Sequence, residues 1–137
     1  MLDTNTVSYI VKGKSQLARA KLAGLQREEI ACISAITEAE LQYGLAKSRN
    51  SEALRFSLNG FLAKLQILSW GREEALVYGQ LRVKQEAAGK TLGNLDMLIA
   101  AHAIAIGAVL VTNDRAFSQI PHLSSTVNWA TDLEHFS

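Results

Sequence analysis

The sequence predicts an α/β fold in which a central, mostly parallel sheet is covered by helices on both sides. Short apolar runs of strand length alternate with longer segments whose apolar residues recur at helical spacing. At 137 residues, the chain is long enough for one domain with one region of buried core. Its 48% hydrophobic and 20% charged residues belong to a globular chain, not a disordered one. Alternation of strand and helix argues for parallel strands, because a helix carries the chain back to the same edge and then covers that face.

Taken in order, the strand candidates are residues 1–2, 30–33, 66–68, 109–111 and 125–127. A helix is expected to start after residue 33. The clearest amphipathic stripe holds Leu54, Leu58, Phe61, Leu62 and Leu65, spaced i, i+4, i+7, i+8, i+11. A further helix is predicted from about 72 to 88, with Val77, Leu81 and Ala88 along one side and Gly89 suited to the turn beyond its end. Residues 95–106 are apolar on nearly all sides, which predicts a buried helix stopped by Gly107. There is no internal repeat or low-complexity tract, and the single proline, Pro121, marks no linker. Residues 1–137 therefore read as one domain.

Composition excludes several classes. The longest apolar stretch, 97–110, is interrupted by His102 and Gly107 and is too short to span a bilayer, so no membrane association is expected. Asp3 interrupts the place where a secretion signal needs apolar residues. The lone cysteine, Cys32, permits no intrachain disulfide, and a cytoplasmic location is expected.

The chemistry lies in four carboxylates. Asp3 ends the first apolar residues, Glu40 lies in the helix expected after residue 33, Asp96 opens the buried helix, and Asp114 closes the run Val109-Leu110-Val111-Thr112-Asn113. In open parallel sheets, ligands gather at the carboxyl ends of strands, and these acids sit at or soon after such ends. Acids held against apolar segments are costly unless something cationic compensates them. A cluster of oxygen donors is what a hard divalent cation such as Mg²⁺ requires, so the chain reads as a metal-dependent enzyme.

Each acid also has a plainer reading. Asp3 suits a helix N-cap, Asp96 the positive end of a helix dipole, and Asp114 a turn; Glu40 suits a buried ion pair. Glu38 and Glu40 compete for one place, but two residues advance a helix by about 200°, so they point nearly opposite ways. Glu40 shares a side with Ile36, Tyr43 and Gly44, read as inward-facing, which leaves Glu38 to solvent.

Net charge is only +1. With the four acids assigned to metal, 13 − 4 = 9 acids oppose 14 basic residues, and the remaining surface is positive. Up to Arg27 the bases are Lys12, Lys14, Arg19, Lys21 and Arg27, against Asp3 alone. That balance suits a polyanion such as a phosphate backbone, although solvated helix faces explain any single member.

Four motifs now stand in order: Leu2-Asp3-Thr4-Asn5; Ile33 to Thr37 with Ala39-Glu40-Leu41 and Tyr43-Gly44; Asp96-Met97-Leu98-Ile99-Ala100-Ala101-His102-Ala103; and Val111-Thr112-Asn113-Asp114 with Phe117. Together they resemble the PIN-domain nucleases, and within them the VapC toxins of bacterial type II toxin–antitoxin pairs. Tyr43-Gly44-Leu45-Ala46-Lys47-Ser48 and Asn128-Trp129 are similar to the subgroup that cleaves initiator tRNA in its anticodon stem-loop. The resemblance implies a PIN-domain-like α/β/α sandwich and Mg²⁺- or Mn²⁺-dependent hydrolysis of RNA, leaving 5′-phosphate and 3′-hydroxyl ends. It matches Asp3, Glu40, Asp96 and Asp114 to the family's acidic quartet, and Thr4, Asn5 and Thr112 to polar residues that support it. It also implies a cognate antitoxin that blocks the site, and a homodimer. Relatives carry more apolar residues before the first aspartate, so a short first strand or a shortened start is expected. Some have asparagine in place of Asp114, which makes that acid less essential than the other three.

The expected division of labour puts Asp3 and Asp96 directly on the metal. Glu40 and Asp114 complete the set, hold metal-bound waters or help deprotonate the attacking water. Thr112 and Asn5 orient carboxylates. Lys12, Lys14, Lys47 and Arg49 are the candidates for gripping RNA.

Other conspicuous residues have structural readings. His102 is a satisfied core histidine, and His122 and His135 lack metal-type spacing. Cys32 is a small core residue, and Trp70 and Trp129 pack or form an interface. No Ser/His/Asp arrangement, P-loop or dinucleotide motif is present. The alternatives are a PIN nuclease of RNA processing, a non-catalytic metal-binding interaction module, and a phosphoacceptor domain. The last lacks a lysine after the final strands, since none follows Lys90.

Overall fold

Most helices begin where a side-chain oxygen meets their free N–H groups. In the computed structural model, which describes residues 1–49, 51–90, 92–123 and 125–132, Asp3 caps α1 (Thr4–Val11) and Ser15 caps α2 (Gln16–Ala23). Ser34 ends β1 (Cys32–Ser34) and caps α3 (Ala35–Lys47), and Ser51 caps α4 (Glu52–Leu62). After β2 (Gln66–Leu68), α5 (Arg72–Ala87) starts at Gly71, whose N–H donates to Glu74 Oε2 at 3.0 Å. Such acceptors satisfy N–H groups that the helix itself leaves unpaired. Then follow α6 (Asn94–Ile106), β3 (Leu110–Val111), a 3₁₀ turn (Arg115–Gln119) and β4 (Thr126–Val127).

β1 pairs with β2 and β3 with β4, both in parallel. The N-terminal segment joins the two pairs. Leu2 bridges Val111 in parallel, and its N–H donates to the Cys32 carbonyl at 2.9 Å. The sheet order is therefore β2, β1, the Leu2 segment, β3, β4. The first strand is, as expected, short: it makes one bridge. The candidate at 30–33 shifts to Cys32–Ser34 because Ile30 lies outside the ladder, 65% exposed. Val109 is likewise exposed, and pairing begins at Leu110.

Alternate side chains leave a strand on opposite faces, and each face here has its own core. Met1, Cys32 and Leu110 pack with Leu81, Met97 and Phe117. Their neighbours Leu2, Ile33 and Val111 pack with Val7, Ile10 and Phe61. One face is thus covered by α5 and α6, the other by α1, α2 and α4, which makes the α/β/α sandwich. Leu58 and Phe61 of the predicted stripe are buried, while Ala88 on the next helix is exposed. Trp70 is a packing residue: its indole N–H donates to the Leu98 carbonyl at 3.0 Å, and its ring meets Tyr78 edge-on. Trp129 is partly buried against the second core, and His135 lies outside the described residues. Among the described residues no helix is long and apolar enough to cross a membrane.

Gly107 ends α6 in the left-handed conformation, φ 67°, with open space where a Cβ would stand. Gly107→Ala is therefore a purely conformational change, expected to cost about 1–2 kcal/mol. Urea unfolding checks this; an unchanged midpoint would contradict it.

Candidate functional site

Four separate segments deliver the four acids. Asp3 leaves the sheet at the start of α1, only 3% exposed, and its Oδ1 accepts the Thr6 N–H at 2.9 Å. Glu40 stands on α3, where Oε1 accepts the Thr4 hydroxyl at 2.6 Å. Asp96 is half-buried in the first turn of α6. Asp114 is exposed and caps the 3₁₀ turn through Oδ1, which accepts the Ala116 N–H at 2.9 Å. The plainer readings of Asp3 and Asp114 as caps thus hold, and they place both carboxylates beside Asp96.

Asp96 bears the electrostatic strain. Burial first, then the charges of Glu40, Asp3 and Asp114, push its carboxyl up to about 6. Asp3 is also raised, chiefly by burial, against hydrogen bonds from Thr112 and Thr6. Asp96 therefore lies within the field of the other three, and Asp3 within that of Asp114. Among the described residues, the ion pair of Arg82 with Glu86 and the contact of the His102 ring with Glu74 both lie outside the quartet.

The donor set is all carboxylate oxygen, which fits a hard divalent cation. The acids are grouped rather than closed: among the described residues, no three His, Cys, Asp or Glu side chains are drawn into an ion-holding cage as they stand. Grouping without compensation is the fact that matters, because repulsion is relieved only by protons or a cation.

The predicted supporting residues divide. Thr4 holds Glu40, and Thr112 hydrogen-bonds Asp3 while its Oγ1 accepts the Asp114 N–H at 3.0 Å. Asn5 is exposed, and among the described residues no hydrogen bond ties it to a carboxylate. Thr6 has the part expected of it. Thr37, fully buried with its hydroxyl 3.5 Å from that of Thr4, was also missed. The Thr6 contact is the local cap bond of its backbone N–H, whereas that of Thr37 depends on α1 meeting α3 and has no local signal.

Tyr43 and Gly44 are not inward-facing: Tyr43 is 68% exposed and Gly44 is also exposed. Only the first half of α3 is enclosed on Glu40's side. Lys47 and Arg49 are exposed at the end of α3, with Lys47 about 10 Å, two turns, beyond Glu40 on the same side. Lys12 and Lys14 are exposed past the far end of α1, Lys12 about 12 Å along the axis from Thr4. They do not flank the acids. A cavity of about 280 Å³ beside Asp114 is lined by Thr112, Asn113, Arg115 and Asn128, among others. Arg115 places a cation there that sequence spacing did not suggest. A larger groove of about 670 Å³ lies away from the acids, between α1, α2 and α4.

Residues 1–123 match the family described as the PIN domain. Ribonuclease VapC2 of Rickettsia felis is 40% identical over 124 residues, covering 90% of this chain and 92% of the relative. The chain belongs to the PIN-domain family, in its VapC branch. The tRNA(fMet)-specific endonuclease VapC of Salmonella typhimurium is 38% identical, over 88% of this chain and 91% of the relative. Among solved structures, VapBC2 of Rickettsia felis bound to a promoter DNA fragment aligns with a TM-score of 0.89 at 40% identity, covering 94% of this chain and 97% of that one. This VapC-family chain therefore has the fold its motifs implied, with strand pairing and helical layers as described above.

Proposed function

We propose that this VapC-family protein is the toxin of a toxin–antitoxin pair, a divalent-metal-dependent endoribonuclease whose substrate is tRNA, with the initiator anticodon stem-loop favoured. The observation that carries the reading is the uncompensated quartet Asp3, Glu40, Asp96 and Asp114, in which burial first and then the charges of the other three raise Asp96 to about 6. A bound Mg²⁺ or Mn²⁺ would reverse the local sign, acidify a water and neutralise the scissile phosphate. Asp3 and Asp96, the most buried acid and the most crowded one, would hold it. Glu40, fixed by Thr4, and Asp114, fixed by its own cap, would complete the set and take the proton of the attacking water. Thr112 stands between Asp3 and Asp114, lowering the pKa of the Asp3 carboxyl and accepting the Asp114 backbone N–H.

RNA grip would come from Arg115 beside the cavity and from Lys47 and Arg49 along α3, with Lys12 and Lys14 reaching more distant phosphates. The substrate assignment is supported by the printed activity of the Salmonella relative, and a loop presents unstacked bases to such a site. The partner is supported by the VapBC complexes among the solved relatives. The groove lined by Ile10, Leu22, Phe56 and Phe61 offers an apolar segment of an antitoxin a place to dock. A homodimer has an exposed strip available in Leu76 and Val83 of α5. The setting for all of this is the cytoplasm.

The test is digestion of total bacterial RNA by purified protein with Mg²⁺ or Mn²⁺, followed by sequencing of the ends. The expected result is one dominant cut in the initiator anticodon stem-loop, with a 5′-phosphate, weakening steeply as salt rises from 50 to 200 mM. Intact tRNA alongside cut messenger or ribosomal RNA would contradict the substrate. No cleavage of any RNA would contradict the activity.

A further inference from the structure

A second polar chain, buried apart from an edge of Glu74, lies outside the acid quartet. His102 is 1% exposed and Ser34 is fully buried. His102 Nδ1 lies 2.7 Å from Ser34 Oγ, and Nε2 lies 3.5 Å from Glu74 Oε1. The sequence shows no serine–histidine–acid motif, yet the fold assembles these three from β1, α6 and α5. Its enclosure makes it a structural element and not a nucleophile.

The hydrogen atoms can be assigned. Ser34 Oγ already accepts the Ile36 N–H at 3.1 Å, so its own hydrogen is free to point at Nδ1. Nε2 then carries the ring proton toward Glu74, whose other oxygen accepts the Gly71 N–H at 3.0 Å. Every member is satisfied with the ring neutral, which agrees with burial lowering the His102 pKa.

Position gives the chain its meaning. Ser34 stands six residues before Glu40, and His102 six residues after Asp96. Ser34 meets His102, while Glu40 and Asp96 repel each other. The two encounters run in opposite sequence directions, so α3 and α6 pack antiparallel, with one contact about 9 Å from the other along each helix. One end of that contact is drawn together and the other pushed apart.

We propose that His102 is a positioning residue: its bond to Ser34 pins α6 against α3 and so sets the separation of the Asp96 and Glu40 carboxylates. The inference rests on reading those acids as a divalent-cation site. It explains why a polar histidine occupies the centre of an otherwise apolar helix, where an aliphatic residue would pack without needing partners.

The test uses His102→Asn, His102→Gln and Glu74→Gln. Asparagine places a polar atom where Nδ1 was and keeps the link to Ser34. Glutamine places one where Nε2 was and keeps only the link to Glu74. Glu74→Gln spares the Ser34 bond altogether. Thermal unfolding in EDTA establishes that each is folded, and calorimetric Mn²⁺ titration reads the site. His102→Asn and Glu74→Gln are expected to bind Mn²⁺ within about twofold of wild type, and His102→Gln about tenfold more weakly, whatever the order of melting temperatures. Equal affinities for all three, or affinities that simply follow melting temperature, would overturn the proposal. Wild type that fails to bind Mn²⁺ removes the cation-site reading, and this inference with it. Wild type that binds beside an unaffected His102→Gln removes this inference alone.

Discussion

Asp96→Asn is expected to lower RNA cleavage about a thousandfold or more while making the metal-free protein more stable. A thousandfold corresponds to about 4 kcal/mol of lost transition-state stabilisation. That is a reasonable demand on a ligand that faces three other acids, since the neutral amide no longer attracts the cation. The gain in stability has the same origin. Burial and the charges of Glu40, Asp3 and Asp114 penalise the ionised carboxylate, and asparagine removes that charge with almost no change of shape. Half of the group remains in solvent, so screening reduces the gain to about 1 kcal/mol, a rise of a few degrees in melting temperature. A variant that is inactive and less stable would mean that Asp96 supports the fold. One that is fully active would remove it from the site.

The second large effect is the pH dependence of metal stabilisation. In the folded, metal-free protein the Asp96 carboxyl stands at about 6, against about 3.9 for an ordinary aspartate. Between those values the folded state holds a proton that the unfolded chain has released, so the contribution of Asp96 to stability falls as pH rises from about 4 to 6. Asp3 is raised too and acts in the same sense. His102 acts oppositely. Burial lowers its pKa, more than Glu74 restores it, so its stabilising effect is complete above the ordinary histidine range and is lost as pH falls. The difference between melting temperatures with Mn²⁺ and with EDTA isolates the acids, because the cation binds their deprotonated form. It is expected to be about half as large at pH 5 as at pH 7.5 from Asp96 alone, and smaller still with Asp3 raised in the same sense. Mn²⁺ at a hundred times its Kd would add about 2.7 kcal/mol. An equal shift at both pH values would show the cation binding elsewhere.

Much of this was legible because it is local. The helix at Asn94–Ile106 and its stop at Gly107 follow from apolar periodicity and one glycine. The stripe at Leu58 and Phe61 follows from spacing alone, and the Asp3 cap from residue type. The acids could be picked out because each carboxylate follows or enters an apolar segment. What was not legible depends on how elements meet. Strand limits moved by one or two residues, since a three-residue strand is defined by its partner more than by its composition. Tyr43 was misjudged because α3 is covered for only part of its length. Thr6 replaced Asn5 because capping geometry puts the third residue's N–H, not the second's side chain, on Asp3. Ser34, Glu74 and His102 come from three distant stretches, and no spacing within one stretch announces them.

The most direct measurement is a crystal of the free protein soaked in Mn²⁺ and recorded at a wavelength where manganese scatters anomalously. One or two peaks bonded to carboxylate oxygens of Asp3 and Asp96, at about 2.0–2.2 Å and with Glu40 or Asp114 turned toward the same ion, are what this account predicts. Manganese absent from that pocket under conditions where the protein cuts RNA would contradict it.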